Sequence, residues 1–198
     1  MSSADSGAHR PTPAPDARDQ DLLARIEAGD RAAFEELYRA YYPRLFGYAW
    51  RMTRRRELVE EVVDDVLLEV WRSAARFDGR SRVSTWIFGI AYRKTLKGLS
   101  RLRPTAPPSE IPVEDPGRDP EQRASDRETS ETLEAALREL SSDHRAVVEL
   151  TYYHGLSYPE IAAIVDCPVN TVKTRMFHAR RKLRRLLEHW GWSSGDVV

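Results

Sequence analysis

An all-α fold is what the 198-residue sequence predicts: two small helical domains joined by a flexible linker, the C-terminal one a helix-turn-helix. Three observations carry this. Apolar residues return at helical spacing through residues 20–103 and again beyond residue 130, and no strand-like alternation is seen. Residues 104–120 hold six prolines in seventeen positions with no apolar period, which suits a partly extended joint. Residues 156–185 divide into a short apolar helix, a tight turn and a longer basic helix.

Five segments follow. Residues 1–19, rich in Ser, Ala, Pro and Asp, predict a disordered tail. Residues 20–103 form the first domain, 104–129 an acidic, Pro-rich linker, 130–190 the second domain and 191–198 a closing tail. In the first domain the spacing predicts a short helix over 21–28, closed by Gly29 and Asp30. A longer one follows over 32–53, with Phe34, Leu37, Tyr38, Tyr41, Leu45 and Phe46 along one side and a kink or break at Pro43. A third covers 58–75 with a stripe of Leu58, Val62, Val63, Val66, Leu67 and Val70, and a fourth covers 86–102. Helix resumes over 121–140 and restarts through Val147, Val148 and Leu150.

Within the helix-turn-helix, Ser157 and Glu160 fit a capping box, and Pro159 falls in the first turn, where its missing N–H costs little. Asp166 stands at the turn because Asp tolerates left-handed angles, and Pro168 blocks continuation of the first helix. Asn170 or a neighbour is expected to cap the second. There Val172, Met176, Ala179, Leu183, Leu186 and Leu187 face inward, which leaves Lys173, Thr174, Arg175, Phe177, His178 and Arg180 outward. Seven Lys or Arg and no acid lie between Lys173 and Arg185. A basic helix presented in this way suits a major groove, its first outward residues meeting base edges and later ones phosphates. The plainer alternative is a solvated face on an ordinary bundle.

Net charge is zero, yet the charge is segregated: +4 over 1–103, −7 over 104–143 and +3 over 144–198. Local fields at the two basic domains matter more to a polyanion than the total. Two further constellations stand out. Glu57, Glu61, Asp65 and Glu69 form an i, i+4 row flanked by Glu60 and Asp64, with no Lys or Arg between Glu57 and Trp71. Like charges at this spacing destabilise a helix by a few tenths of a kcal/mol per pair. The row is therefore either a tolerated solvated face or a surface awaiting an external basic partner. From Arg80 to Arg103 there are seven basic residues and no acid, interleaved with Trp86, Phe88 and Tyr92. Such a track can stack and hold single-stranded nucleic acid, or its aromatics can be core. Trp86 is expected to be partly core, and Tyr92, Arg93, Lys94 and Lys97 exposed.

An enzyme is not expected. The five histidines are scattered, there is no phosphate-binding glycine loop, and the carboxylates lack a paired base or metal spacing. No catalytic residue, metal site or cofactor is assigned. The single cysteine, Cys167, permits no intramolecular disulfide. With no apolar signal core and no apolar run of spanning length, a cytoplasmic location without direct membrane insertion is the expectation.

Three stretches in order resemble the sigma-70 family of bacterial transcription initiation factors, in its extracytoplasmic-function (ECF) subgroup. VEEVVDDVLLEVW, from Val59 to Trp71, is similar to the family segment that docks on the clamp of the largest subunit of RNA polymerase. FDGRSRVSTWIFGIA, from Phe77 to Ala91, resembles the segment that melts and reads the −10 element, and CPVNTVKTR, from Cys167 to Arg175, lies in a −35-reading helix-turn-helix. The resemblance implies a factor that binds core RNA polymerase and directs promoter recognition, strand opening and initiation at a specific regulon. It implies polymerase docking through Glu57, Glu60, Glu61, Asp64, Asp65 and Glu69. Arg80, Ser81, Arg82, Val83 and Ser84 would surround a flipped base of the melted non-template strand. Trp86, Tyr92, Arg93, Lys94 and Lys97 would follow melted or adjoining duplex DNA. The outward residues of the basic helix, from Lys173 to Arg180, would read duplex at −35. It also implies an anti-sigma partner, able to hold the factor near the membrane. The alternative from the residues alone is a stand-alone helix-turn-helix regulator that binds duplex DNA as a dimer. Gly98, within the fourth helix, is a local departure from helix preference of roughly 1 kcal/mol relative to Ala.

Overall fold

Two helical lobes, one on each side of the linker, make up the computed structural model, which describes residues 17–101 and 132–192. The expected linker, residues 1–16 of the expected tail, residues 193–198 and most of the helix expected over 121–140 lie outside the described residues. No strand occurs among the described residues.

Helix α1 (Ala17–Glu27) begins inside the expected tail. Its first turn is anchored: Arg18 donates to Glu36 at 2.6 Å, and the Tyr41 hydroxyl donates to Asp19. Leu22, Leu23 and Ile26 are its buried face. Gly29, at φ +86, reverses the chain, and Asp30 caps α2 (Arg31–Thr53) by accepting from the amides of Ala32 and Ala33 at 2.8 and 3.2 Å. Pro43 does not divide α2. Its ring removes the bond to the Arg39 carbonyl, and both residues are exposed, so water can serve that carbonyl. Arg54, at φ 55, ends α2 in the left-handed region and donates its N–H to the Trp50 carbonyl at 2.8 Å.

Helix α3 (Arg56–Ser73) buries Leu58, Val59, Val62, Val63, Val66, Leu67 and Val70 against α2 and α4, which is the expected stripe with Val59 added. After a single 3₁₀ turn at Ala74–Arg76 and a loop, α4 (Val83–Arg101) starts three residues earlier than predicted. Gly98 now has a reason. A Cβ there would stand 2.4 Å from Leu58 Cδ1, so glycine lets α4 approach α3. Gly98→Ala should destabilise the protein by about 1 kcal/mol. Overpacking of roughly 1–3 kcal/mol outweighs a helix-propensity gain of about 1 kcal/mol. In a Leu58→Ala background the same change should stabilise by about 1 kcal/mol, and chemical denaturation of the four proteins reads the sign change.

In the second lobe, a helix α5 is described over 132–138, followed by α6 (Ser142–Tyr152), α7 (Tyr158–Val165) and α8 (Val169–His189). The Ser141 hydroxyl accepts from the His144 amide at 3.4 Å at the start of α6. Val172, Met176, Ala179 and Leu187 of α8 are buried, with Leu183 and Leu186 partly so. The lobes are not held apart. Helix α4 packs on α7 and α2 on α6, so their apolar residues form one continuous core. No helix among the described residues is long and apolar enough to cross a membrane.

Candidate nucleic-acid interface

The α7–turn–α8 unit is built as its residues dictate. Glu160 accepts from the Ser157 amide at 2.8 Å and from its hydroxyl at 2.6 Å, closing the capping box. Asp166 adopts φ 51, and the Cys167 amide turns back to the Ala162 carbonyl at 3.1 Å. Pro168, not Asn170, occupies the N-cap of α8, and no side chain caps it. Asn170 lies inside the helix, where its carbonyl accepts from the Thr174 hydroxyl at 2.9 Å.

Lys173, Thr174, Phe177, His178 and Arg180 share the exposed side of α8, with Phe177 61% exposed although it is fully apolar. Arg175 is half-buried, with Nη2 on Asp143 Oδ2 at 2.6 Å. Arg180 lies over the Tyr152 ring at 5.6 Å. Arg181, Arg184 and Arg185 extend the cationic surface along the same helix.

Residues expected to read melted DNA are divided by the structure. Arg80, Arg93 and Lys97 are exposed, and Ser81, Arg82 and Trp86 are half-buried, Trp86 against Phe77 at 5.6 Å. Val83 and Ser84 are buried. Tyr92, expected to be exposed, is only 7% so. Burial raises its phenol pKa, and Asp143 and Arg175 of the other lobe also act on it, so the second lobe covers this position. Arg82 stands 3.7 Å from Glu160 of α7, whose carboxylate also accepts from the Thr85 hydroxyl at 3.1 Å. Lys94, expected to be exposed, is half-buried and held by Glu69 at 2.9 Å and Asp65 at 3.5 Å; the Glu69 hydrogen bond is the main cause of its raised pKa.

This last pairing changes the meaning of the acidic row. Asp65 and Glu69 meet Lys94, Glu61 meets Arg101 at 3.2 Å, and Glu60 meets Arg56 at 2.9 Å. The cations that relieve the repulsion along α3 therefore come mostly from α4. Among the described residues, Glu57 and Asp64 form no ion pair. Asp64 lies near the Tyr38 phenol and raises its pKa as a lesser cause after burial. Tyr38 and Leu68 are exposed large apolar side chains. Tyr38 stacks on Tyr42 at 5.2 Å, and Tyr42 on Phe46 at 6.0 Å. Sequence reasoning assigned none of Tyr38, Tyr42 or Leu68 to a site. The signal was present in the row Phe34, Tyr38, Tyr42, Phe46, a second i, i+4 series beside the core series Leu37, Tyr41, Leu45.

A third cluster was also missed. Arg51 of α2 pairs with Glu149 of α6, which is fully buried, and lies 4.0 Å from the centre of the Tyr153 ring. Burial raises the Glu149 pKa against the opposing pull of Arg51. His154 packs on Phe88 at 4.1 Å and Tyr48 at 5.8 Å, and burial first, then Arg51 and Arg44, push it down to about 3. It is neutral at ordinary pH.

Comparison with known proteins locates these surfaces in two family models. "Sigma-70 region 2" matches residues 37–105, and "Sigma-70, region 4" matches residues 130–183. The ECF RNA polymerase sigma-E factor of Haemophilus influenzae is 31% identical over 182 residues, 86% of this chain and 95% of its own. The ECF RNA polymerase sigma factor SigM of Mycobacterium tuberculosis is 33% identical over 172 residues, 85% of this chain and 84% of its own. Among solved structures, CnrH in complex with the cytosolic domain of CnrY superposes with a TM-score of 0.67 at 27% identity. It covers 87% of this chain and 98% of that one.

Proposed function

We propose how the work is divided among the surfaces on the premise that this chain belongs to the sigma-70 family of transcription initiation factors, in its ECF subgroup. It is an initiation factor that binds RNA polymerase and acts at specific promoters. Matches to both lobes do not favour a stand-alone dimeric regulator, whose helix-turn-helix would need no first lobe. The chemistry of phosphodiester formation belongs to the polymerase.

The exposed basic side of α8 reads the −35 duplex; it is the single observation that supports this assignment best. Lys173, Thr174 and Arg175 stand in its first two turns, where base edges are reached, and Phe177 suits a thymine methyl. Arg180 serves phosphate. On the first lobe, Arg80, Ser81, Arg82, Val83 and Ser84 form the segment that receives an unstacked base. Trp86, Tyr92, Arg93, Lys94 and Lys97 track the strand beside it. Polymerase docks on α3 through Glu57, Glu60, Glu61, Asp64, Asp65 and Glu69, its clamp as the expected contact, with Leu68 and Tyr38 as the apolar centre of the patch. CnrH is found in complex with the cytosolic domain of CnrY, and an anti-sigma partner is assigned to this chain as a member of its family. Such a partner would hold it in the cytoplasm, near the membrane.

Reconstituted transcription with core polymerase tests the assignment. Arg175→Ala should weaken −35-dependent initiation by ~1–3 kcal/mol through loss of a base contact. An equal loss on promoters with a scrambled −35 element would place Arg175 on phosphate instead.

A further inference from the structure

We propose that His144 of α6 is a further promoter-contact residue, and that together with His178 of α8 it grips a −35 phosphate by taking up a proton. This rests on the −35 assignment made above for α8. His178 lies on the exposed side of that helix, and the half-buried His144 ring faces it from α6 with 6.3 Å between centres. At that separation one phosphate oxygen can accept from both rings, since a charge-assisted N–H···O contact spans about 2.8 Å.

The charges around the pair decide when it is loaded. Asp143 meets it from α6, and Arg175 and Lys182 meet it from α8. Arg175, Arg181 and Lys182 stand three or four residues from His178 on its own helix. Asp143 is already engaged by Arg175 at 2.6 Å, and Lys182 donates to the Glu139 carbonyl just beyond α5. Helix α7, also packed on α8, turns its Glu160 toward Ser157, Thr85 and Arg82 instead. Burial first, then His178 and Arg175, push the His144 pKa below its ordinary value; Asp143 opposes them and Lys182 adds to them. The free chain therefore leaves His144 uncharged at about pH 7. A phosphate set between the rings reverses the balance, because a nearby anion favours the imidazolium. Binding then raises the proton affinity of the pair, and by reciprocity a fall in pH tightens binding. Imidazole changes charge between about pH 5 and 8, whereas the Lys and Arg of the same face stay charged throughout. His154, pushed down to about 3, does not titrate there, and His189 lies eleven residues beyond His178 along α8.

The test uses holoenzyme, the full chain on core polymerase, and a fluorescent duplex carrying the −35 element of a promoter from which it initiates. Affinity is measured from about pH 8 to about pH 6 at fixed ionic strength. Relative to a His144→Gln, His178→Gln double variant, the parent should gain on the order of fivefold across that range, as expected for a proton bound about tenfold more tightly in the complex. The comparison cancels the pH dependence of polymerase itself, and His189→Gln should follow the parent. His144→Gln alone should remove most of the gain yet leave affinity at the alkaline end within about twofold, which loss of a purely structural residue would not do. His178→Gln, at an exposed position that the fold does not need, gives an independent reading of the same loss. An unchanged pH dependence in the double variant, or an affinity loss equal at every pH in all three variants, would overturn the proposal. Failure of the −35 assignment looks different: Arg180→Ala would then leave affinity unaltered at every pH, whereas with α8 on the duplex it weakens binding evenly.

Discussion

Arg145→Ala should lower the stability of the protein by about 3 kcal/mol, the largest loss expected from any single truncation outside the apolar core. The guanidinium of Arg145 gathers four carbonyls. It donates to Leu137 at 3.0 Å and Arg138 at 2.6 Å at the end of α5, to Leu140 just beyond it at 3.1 Å, and to Met52 of the first lobe at 3.1 Å. Helix ends leave their last carbonyls without intrahelical donors, and a half-buried end must find them elsewhere. Truncation orphans several at once, at roughly 1–3 kcal/mol for each that water cannot reach. Arg138 is exposed and its carbonyl can be rehydrated, so the total stays well below four full penalties. Arg145→Lys should recover less than half, because an ammonium is a point donor and cannot reach the spread of acceptors that the planar fork spans. Burial lowers the Arg145 pKa and Glu149 counters it. Denaturant midpoints read the result, and a loss below about 1 kcal/mol would show that α5 finds other donors.

What the sequence revealed and what it concealed divide along one physical line. Local chemistry was legible. The Ser157–Glu160 box, the left-handed Asp166, and the inward row Val172, Met176, Ala179 depend on neighbours a few residues away, and all stand where periodicity put them. Contacts between the lobes were not legible. Glu149 sits in the run Val147-Val148-Glu149-Leu150 and looks like the polar position of an amphipathic helix, yet its partner lies 98 residues back. Tyr92 is covered by the other lobe, which no reading of α4 alone would place there. The acidic row illustrates the middle case. Its spacing and composition were plain in the sequence, but the pairing of Asp65 and Glu69 with Lys94 and of Glu61 with Arg101 needed the α3–α4 register. Gly98 was visible as a flaw in helix propensity and became a close-approach position only once Leu58 was seen against it.

That register decides how docking is best tested. Reversing Glu61 or Asp65 would break pairs with Arg101 or Lys94, so lost activity would mix fold and binding, even though each exposed pair contributes only about 0–1 kcal/mol. Asp64 and Leu68 are free of that ambiguity: both are exposed, and Asp64 forms no ion pair among the described residues. Asp64→Lys combined with Leu68→Ala should reduce affinity for core polymerase on the order of 100-fold, about 3 kcal/mol, as expected when a central apolar anchor and an adjoining charge are lost together. Stability should move by no more than about 0.5 kcal/mol, since neither side chain is buried. Tyr38, stacked on Tyr42, shares that apolar centre with Leu68, so Tyr38→Ala should cost affinity in the same direction with a smaller step. Glu57→Ala, at the far end of the row, should change the salt dependence of association more than its strength. Binding measured with labelled core polymerase separates these cases. Wild-type affinity in the Asp64→Lys, Leu68→Ala protein would remove α3 from the docking surface, because no other part of that helix combines exposed apolar area with an unpaired carboxylate.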